Sequence, residues 1–226
     1  MADGPHDSSG PTASQVLSVR GASVRAMSFT FVDLFAGIGG FHAALGELGG
    51  NCVMASEIDS WAAEVYRRNW GAHVRPSPRR PQIEGDIVPL TEGPHVLVPE
   101  HDILTAGFPC QPFSNSGKKL GLSDPRGQFY ATIETLIKKF NAKSFILENV
   151  PGIRTNGGPG EVSKLAHRPR QAIGKTMQIL EDAMLNGLAP DYHINWIEID
   201  SSRLGSPQVR KRVYIVGIRK GIGTMP

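Results

Sequence analysis

From residue 29 onward, short apolar segments alternate with longer segments whose apolar residues recur at helical spacing. The short segments predict buried strands, and the longer ones predict helices. Alternation of this kind is typical of an α/β fold built from strand–helix units around a parallel sheet. The first predicted strands are 29–35, 51–58, 102–106 and 144–147. The predicted helices are 41–48, a segment after Asp59, a segment after Asp124-Pro125, and a segment with Ile173, Met177, Leu180 and Met184 on one face.

Some local features can be predicted in more detail. Asp59 is expected to cap the helix that follows it, and Asp124-Pro125 combines a capping side chain with a proline suited to the first helical turn. The last two strands, 193–199 and 212–218, are joined by too few residues for a crossover helix, so we expect them to pair antiparallel. The segment 151–170 is rich in glycine and basic residues, and we expect it to be mobile.

The composition describes an ordinary globular chain with a distinct beginning. Residues 1–27 are rich in Ser, Gly, Ala and Pro and predict a flexible leader, whereas 28–226 predict one α/β domain. No apolar run is long enough to span a bilayer, and residues 1–27 lack the apolar centre of a signal peptide. The net charge of +3 permits an acidic partner without requiring one.

The two cysteines, Cys52 and Cys110, form neither a disulfide framework nor a zinc-binding spacing. Cys52 lies in a buried-strand pattern and is expected to contribute to packing. These features favour a cytoplasmic protein without a metal site.

Candidate chemistry follows the predicted strands, whose carboxyl ends meet at one edge of the sheet. The glycines of 33–40 let a ligand approach the main chain at a helix N-terminus, although His42 breaks the dinucleotide-binding fingerprint. Glu57 has nearly the spacing of the carboxylate that binds ribose in adenosine-binding folds; a solvated strand end is the alternative. Asp86 is either positioned to reach an adenine amino group or a plain turn residue.

Two further groups suggest catalysis. Cys110 lies in the segment Gly107-Phe108-Pro109-Cys110-Gln111-Pro112-Phe113-Ser114, just after a buried strand. A thiol there is poorly placed for core packing and well placed for nucleophilic attack, although an inert buried cysteine is the commoner case. Glu148 closes the strand 144–147 and is a candidate acid; a salt bridge to a nearby arginine is the alternative.

Five segments, taken in order, resemble the motifs of the C5 cytosine DNA methyltransferase family over about residues 29–219. The resemblance implies a Rossmann-like methyltransferase fold, a mostly parallel sheet with a C-terminal antiparallel hairpin. It also implies S-adenosylmethionine as cofactor and double-stranded DNA as substrate. The segments are Asp33–Gly40, Ala55–Asp59, Gly107–Ser114, Glu148-Asn149-Val150 and Gln208-Val209-Arg210-Lys211-Arg212.

The resemblance also implies a covalent mechanism. The Cys110 thiolate would add to C6 of a cytosine rotated out of the duplex while Glu148 donates a proton to N3. Loss of the C5 proton and of Cys110 would then release 5-methylcytosine. Arg212 would hold the cytosine O2 and orient Glu148, and Arg210 would neutralise a phosphate or the thiolate.

Further roles come from the same resemblance. Phe35 would lie against adenine, Glu57 would bind the ribose hydroxyls and Asp86 the adenine amino group. The implied cofactor-binding residues are Phe35, Ala36, Gly37, Gly39, Gly40, Glu57, Ile58, Asp86, Ile87 and Pro109. The segment 114–126 would be a lid over the flipped base. The implied DNA-facing residues are Gln111, Ser114, Ser116, Lys118, Lys119, Arg126 and Gln208.

The chain also departs from the family pattern, because nothing after Arg219 resembles the target-recognition region or the last helix that packs beside the cofactor pocket. One account is a split enzyme, in which a second polypeptide supplies the missing parts; a truncated gene and an excised portion of a longer enzyme are the others. If the missing helix normally covers apolar surface, this chain alone should expose an apolar patch. A transfer-RNA cytosine methyltransferase with the same catalytic set is the main alternative. A non-catalytic module is disfavoured by the intact catalytic set, and a dehydrogenase by the broken glycine fingerprint.

Overall fold

The structure, a computed structural model, describes residues 28–71, 83–91, 98–109, 128–168 and 170–223. Several sequence predictions lie outside these ranges: the leader 1–27, the lid 114–126, the helix start at Asp124, and Cys110 itself. Within the described ranges, no helix is long and apolar enough to cross a membrane.

Strands and helices alternate along the chain as the sequence predicts. The first elements are β1 (Phe29–Leu34), α1 (Gly40–Glu47), β2 (Gly50–Ser56), α2 (Ser60–Trp70), β3 (Ile83–Glu84), β4 (Ile103–Ala106), α3 (Gln128–Phe140) and β5 (Ser144–Asn149). The later elements are α4 (Gly152–Thr155), β6 (Pro159–Val162), β7 (Ala172–Gly174), α5 (Lys175–Gly187), β8 (Tyr192–Asp200) and β9 (Lys211–Arg219).

Seven strands form the main sheet, in the order β3-β2-β1-β4-β5-β9-β8. The strands β1 to β5 are parallel to one another, and β9 runs antiparallel to both β5 and β8. The predicted α/β class and the antiparallel pairing of the last two strands are therefore confirmed. Because β8 runs in the direction of β5, the carboxyl ends of six strands and the amino end of β9 share one edge, here called the site edge.

Local sequence signals account for much of this framework. Phe31, Val32 and Leu34 of β1 are fully buried, because helices cover both faces of a central parallel strand. Asp59 caps α2 as predicted, since its side chain accepts a hydrogen bond from the Ala62 amide at 2.8 Å.

The region between β5 and α5 differs from its sequence prediction. Ile173 matches the apolar spacing of the following helix, but it lies in β7, and α5 begins at Lys175. Gly174 packs against main chain so closely that a Cβ there would lie 2.4 Å from the Asn156 carbonyl oxygen. The segment 151–170, expected to be mobile, contains α4 and β6, and its end runs beside β8.

Candidate active site

A cavity of about 290 Å³ opens at the site edge, where the strand order reverses between β1 and β4. Open α/β sheets bind ligands at such a switch point. Its walls combine apolar side chains with two carboxylates, and its lining residues are Phe35, Ser56, Glu57, Ile58, Gly85, Asp86, Ile87, Gly107, Pro109 and Phe129. Six of the ten predicted cofactor residues come from separate parts of the chain and line this cavity together: Phe35, Glu57, Ile58, Asp86, Ile87 and Pro109.

The turn after β1 has an unusual backbone. Phe35 has a φ of 53°, in the left-handed region that non-glycine residues rarely adopt, and Gly37 follows with a φ of 56°. The Ala36 amide donates to the Ser56 carbonyl at 3.0 Å, which fixes the turn to β2. The Phe35 ring meets Phe129 edge-on at 5.5 Å and closes one wall of the cavity.

Gly39 and Trp70 fit together behind this turn. A Cβ on Gly39 would lie 2.1 Å from the indole Nε1 of Trp70, and the φ of Gly39 is 96°. The same indole N–H donates to the Ile38 carbonyl at 3.0 Å, and its ring stacks on His42. Trp70 therefore supports the glycine turn, a role that the local sequence pattern does not signal. Gly40, the last predicted glycine, begins α1 and is exposed.

Glu57 connects the glycine turn to α2. Its Oε2 accepts a hydrogen bond from the Gly37 amide, and its Oε1 accepts one from the Asp59 amide, both at 2.8 Å. A carboxylate oxygen can accept more than one hydrogen bond, so these contacts orient Glu57 while leaving acceptor capacity for a ligand hydroxyl.

The next loop is fixed by Ser56, which sequence reasoning did not single out. Its hydroxyl donates to the Gly85 carbonyl at 2.7 Å and joins the end of β2 to the turn that carries Asp86. Asp86 is exposed, and its Oδ1 accepts from the Val88 amide at 2.9 Å. Ile87 is buried beneath it, so the loop presents a carboxylate at the rim of an apolar wall.

Asp33 is a buried carboxyl beneath the turn. The Thr105 hydroxyl donates to its Oδ1 at 2.8 Å, which links β1 to β4. Burial raises the pKa of Asp33 to about 7, and the nearby Glu57 charge adds to this, while hydrogen bonds from Thr105 and the His42 main chain oppose it.

Glu148 and Arg212 form an ion pair at the same edge. Arg212 Nε lies 2.7 Å from Glu148 Oε1, and the two side chains are only 18% and 23% exposed, respectively. β9 places them together, because Glu148 pairs with Tyr214 across the ladder and Arg212 is the next residue on that face. The sequence left two expectations for Glu148, a salt bridge to a nearby arginine and, by family resemblance, orientation by Arg212. The structure has one contact that corresponds to both.

The main chain of Gly107 lies between this ion pair and the cavity. A Cβ on Gly107 would be 3.7 Å from both Glu148 Oε2 and the Phe35 carbonyl oxygen. From Gly107 the chain continues through buried Phe108 and exposed Pro109. Cys110 is the next residue in sequence and lies outside the described residues.

Asn149 fixes the ends of β4 and β5 to each other. It is buried, its Nδ2 donates to the Phe108 carbonyl at 3.0 Å, and its Oδ1 accepts from the Val150 amide at 2.8 Å. The sequence places Asn149 inside a recognised motif without a role for its side chain. The signal that could have found it is a strand-end amide next to Glu148, which must be hydrogen-bonded if buried.

The loop entering β9 carries the remaining described candidates. Arg210 is exposed, and its charge reaches Tyr214: burial and Glu148 raise the pKa of that phenol, and Arg212 and Arg210 oppose the increase. Gln208 is also exposed, and its carbonyl accepts from the Ser201 hydroxyl at 2.5 Å. The lid candidates Gln111, Ser114, Ser116, Lys118, Lys119 and Arg126 lie outside the described ranges. Among the residues described, no cluster of three His, Cys, Asp or Glu side chains could hold a metal ion.

Comparisons with known proteins show which proteins the chain is similar to. The chain is 37% identical over 195 residues to the type II methyltransferase M.HgiCII of Herpetosiphon aurantiacus, which covers 86% of this chain and 38% of that protein. It is 36% identical to M.HpaII of Haemophilus parainfluenzae, covering 86% and 47%. A solved structure of a putative DNA modification methyltransferase from an E. coli prophage superimposes with a TM-score of 0.62 at 25% identity, covering 86% and 47%.

The chain thus spans less than half the length of these relatives. Residues 29–224, nearly all of the described region, match the family described as C-5 cytosine-specific DNA methylase. This range contains the residues that line the cavity of about 290 Å³ and the Glu148–Arg212 pair. The chain therefore belongs to the C-5 cytosine-specific DNA methylase family.

Proposed function

We propose that this chain transfers a methyl group from S-adenosylmethionine to C5 of a cytosine flipped out of duplex DNA, through a covalent bond between Cys110 Sγ and C6. The observation that carries the proposal is the position of the Glu148–Arg212 pair against Gly107. That main chain leads to Cys110 three residues later, and it separates the ion pair from the cavity. In this proposal, the strand end that carries the acid and the strand end that leads to the nucleophile both adjoin the methyl-donor cavity at the site edge.

The cavity suits the nucleoside part of the cofactor. Apolar walls at Phe35 and Ile58 match a purine, Glu57 offers acceptors to the ribose hydroxyls, and Asp86 offers one to the adenine amino group. Its volume of about 290 Å³ is at the lower end for a ligand pocket. No atom lies within 4 Å of a Cβ position on Gly37, so a ligand can approach that main chain. When bound, S-adenosylmethionine supplies an electrophilic methyl group.

Cys110 and Glu148 are assigned the covalent step on the cytosine. The Cys110 thiolate forms a bond to C6 while Glu148 gives a proton to N3, so that electron density develops on C5. Once C5 carries the methyl group, a general base takes the C5 proton and the C6–S bond breaks to return the Cys110 thiolate. N3 gives its proton back to Glu148, and the aromatic ring is restored. The target base must leave the stack, because a thiolate cannot reach C6 inside a duplex.

Arg212 holds Glu148 and retains donors for the base. Its Nε faces Glu148 Oε1, and its Nη1 donates to the Lys211 carbonyl at 2.7 Å. A guanidinium has five N–H donors in a fixed plane, so others remain for the O2 of a cytosine. Arg210, exposed at the same edge, is assigned to phosphate or thiolate neutralisation.

We assign target recognition to a further element that packs against this chain, such as a second polypeptide. One face of β5, β9 and β8 supports this assignment, because Ile146, Tyr214, Val216 and Ile197 remain only half-buried there while the residues between them are buried. A further element packed on that face would cover apolar surface and lie next to Glu148.

Labelled-methyl transfer tests the proposal. The purified chain, alone and with candidate partner chains, is incubated with labelled S-adenosylmethionine and either duplex DNA or transfer RNA. We expect weak labelling of DNA by the chain alone, stronger labelling with the partner, and none with the Cys110→Ser variant. Labelling of RNA instead of DNA would favour the alternative substrate, and labelling by the Cys110→Ser variant would contradict the covalent mechanism.

A further inference from the structure

A second cavity, of about 450 Å³, opens at the site edge beside the amino end of β9. We call it the basic groove. Four cationic side chains and two carboxylates line it, and the proposed chemistry uses none of them. These residues are Arg154, Arg168, Arg203, Lys211, Glu198 and Asp200.

The basic groove adjoins the ion pair of the candidate active site. Lys211 pairs with Asp200 across the ladder, and Arg212 is the next residue of β9. Successive strand side chains point to opposite faces, so Lys211 lines the groove while Arg212 reaches Glu148 on the other face. A ligand extending across this edge therefore meets both sites.

The carboxylates of the groove already have partners. Arg154 Nε lies 2.9 Å from Glu198 Oε2. Asp200 Oδ1 accepts from the main chain and the hydroxyl of Ser202 at 3.1 and 2.9 Å, and these bonds, with smaller contributions from Lys211 and Arg203, lower the pKa of Asp200. The charge of Glu198 is thus paired with Arg154, whereas the Asp200 carboxylate is held by Ser202 and faces the three remaining cations unpaired in the described ranges.

Three cations of the groove remain available. Arg168, Arg203 and Lys211 are exposed, and none has an ion pair within 4 Å to another residue in the described ranges. Like charges around one concave surface repel one another, and a bound anion relieves this repulsion. Guanidinium groups also match the geometry of phosphate oxygens, so the composition favours a phosphate ligand.

The wall that carries Arg168 is fixed in place. The His167 amide donates to the Trp196 carbonyl at 2.8 Å, which joins this segment to β8. The Trp196 indole N–H donates to Glu181 Oε1 at 2.7 Å, and the Lys164 amide donates to Glu181 Oε2 at 2.9 Å. Arg168 therefore follows directly on a segment that is hydrogen-bonded to β8.

The opposite wall of the basic groove is the connection between β8 and β9, which is held by main-chain hydrogen bonds. The Ser201 amide donates to the Arg210 carbonyl at 3.0 Å, and the Ser206 amide donates to the Ser201 carbonyl at 3.2 Å. Gly205, with a φ of 89°, reverses the chain after Arg203. Walls that are ordered before binding lower the entropy cost of holding a ligand.

We infer that the basic groove binds the phosphodiester backbone of duplex DNA next to the target cytosine. The inference rests on the proposed function, because that function brings DNA to the site edge. The groove adds a contact that does not depend on base sequence, beside the Arg212 end of β9. The contribution of the basic groove to DNA affinity is electrostatic, so it must weaken as the salt concentration rises.

The test compares the wild-type chain with the Arg168→Gln/Arg203→Gln double variant. Affinity for a short cytosine-containing duplex is measured over a range of salt concentrations, and S-adenosylmethionine affinity is measured separately. Two lost phosphate contacts should reduce the slope of log affinity against log salt by roughly 2. The Arg168→Lys/Arg203→Lys variant should recover most of the slope. Lys139→Gln, an exposed change at the far end of α3, is the matched control and should leave the slope unchanged.

The outcomes distinguish the two proposals. An unchanged salt slope in the double variant, or an equal loss in the Lys139→Gln control, overturns the groove assignment and leaves the proposed function standing. Failure of the folded wild-type chain to bind DNA while it binds S-adenosylmethionine also overturns the groove assignment. Failure of the wild-type chain to bind S-adenosylmethionine counts against the proposed function instead. Unchanged cofactor affinity in the double variant confirms that the variant is folded.

Discussion

Asn149 Nδ2 donates a hydrogen bond to the Phe108 carbonyl oxygen at 3.0 Å, although the two residues are 41 positions apart. Glu148 immediately precedes the donor, and Cys110 follows the acceptor by two residues. The bond therefore fixes the strand end that carries the proposed acid to the strand end that leads to the proposed nucleophile. Asn149 acts as a positioning residue for both.

The first prediction concerns this bond. Asn149→Asp keeps the side-chain shape and the acceptor for Val150 but removes the donor to the Phe108 carbonyl. An unsatisfied buried carbonyl costs about 1–3 kcal/mol, and small misplacement of reacting groups slows chemistry by up to about 100-fold. We expect the covalent bond between Cys110 and the target cytosine to form more slowly in Asn149→Asp, by at least about tenfold, because the reacting groups are misaligned. S-adenosylmethionine affinity should stay unchanged.

The control for Asn149→Asp is Asn195→Asp, a half-buried change in the middle of β8. The rates of covalent bond formation are compared under conditions where each variant is fully folded, as shown by its unfolding midpoint. An equal slowing in both variants, or a parallel loss of cofactor affinity, would mean that Asn149 only supports the fold.

The Glu148–Arg212 pair gives a second prediction. Glu148→Gln removes the proton donor, and general acids typically contribute about 10²–10⁴-fold to rate. We expect methyl transfer to fall by that order in Glu148→Gln, with S-adenosylmethionine affinity unchanged, because the carboxyl lies across Gly107 from the cavity. Single-turnover transfer and calorimetric binding measure the two quantities.

Arg212→Lys extends this test. A lysine keeps the charge but not the planar donors that face Glu148, so we expect a large loss of transfer. Arg219→Lys, at the opposite end of β9, is the matched control and should keep nearly full activity. Comparable activity of Arg212→Lys and Arg219→Lys would show that the planar guanidinium at position 212 is not needed.

Gly39 provides a third prediction. An alanine there must adopt a φ of 96° and place its Cβ against the Trp70 indole. We expect Gly39→Ala to lower the free energy of unfolding by at least about 2 kcal/mol, from the strained backbone and the clash, and to weaken S-adenosylmethionine binding. Gly46→Ala in α1, with no atom within 4 Å of its Cβ, should instead raise stability by up to about 1 kcal/mol. Urea unfolding checks both, and equal stability of the two variants would contradict the packing of Trp70 behind the turn.

The buried Asp33 makes stability depend on pH. Its pKa is about 7 in the folded chain, against an ordinary value of 3.8. Between these values the unfolded chain has lost the proton that the folded chain keeps, so stability falls as pH rises, by up to about 4 kcal/mol. We expect this decline relative to an Asp33→Asn variant, whose side chain does not titrate. Urea unfolding at about pH 4 and pH 7.5 measures the difference, and parallel behaviour of the two proteins would contradict it.

The sequence predicted the features that depend on local pattern. The Asp59 cap needs only a side chain three residues before its amide partner, and the short connection after β8 permits only antiparallel pairing. Ile173 shows the limit of such patterns: its spacing fits the helix, but pairing with β6 places it in a strand. Periodicity alone cannot separate these outcomes, because β7 is only three residues long.

Long-range contacts explain the rest of the site. Trp70 lies 31 positions from Gly39, and the Asn149–Phe108 bond spans 41, so neither leaves a periodic signal in the sequence. Strand-end position predicted Glu57, Asp86 and Glu148 individually, but their partners became known only from the fold. The main-chain contacts of Glu57 are an example, since one donor lies in the turn after β1 and the other is the N-cap residue of α2.

The central claim is that Cys110 forms a covalent bond to the target cytosine. Duplex DNA carrying 5-fluorocytosine tests it most directly, because fluorine at C5 cannot leave as a proton does after methylation. The account predicts a methylation-dependent adduct that survives denaturation, contains a peptide with Cys110, and is absent from the Cys110→Ser variant. Methyl transfer to ordinary DNA without any such adduct, or an adduct at a residue other than Cys110, would contradict it.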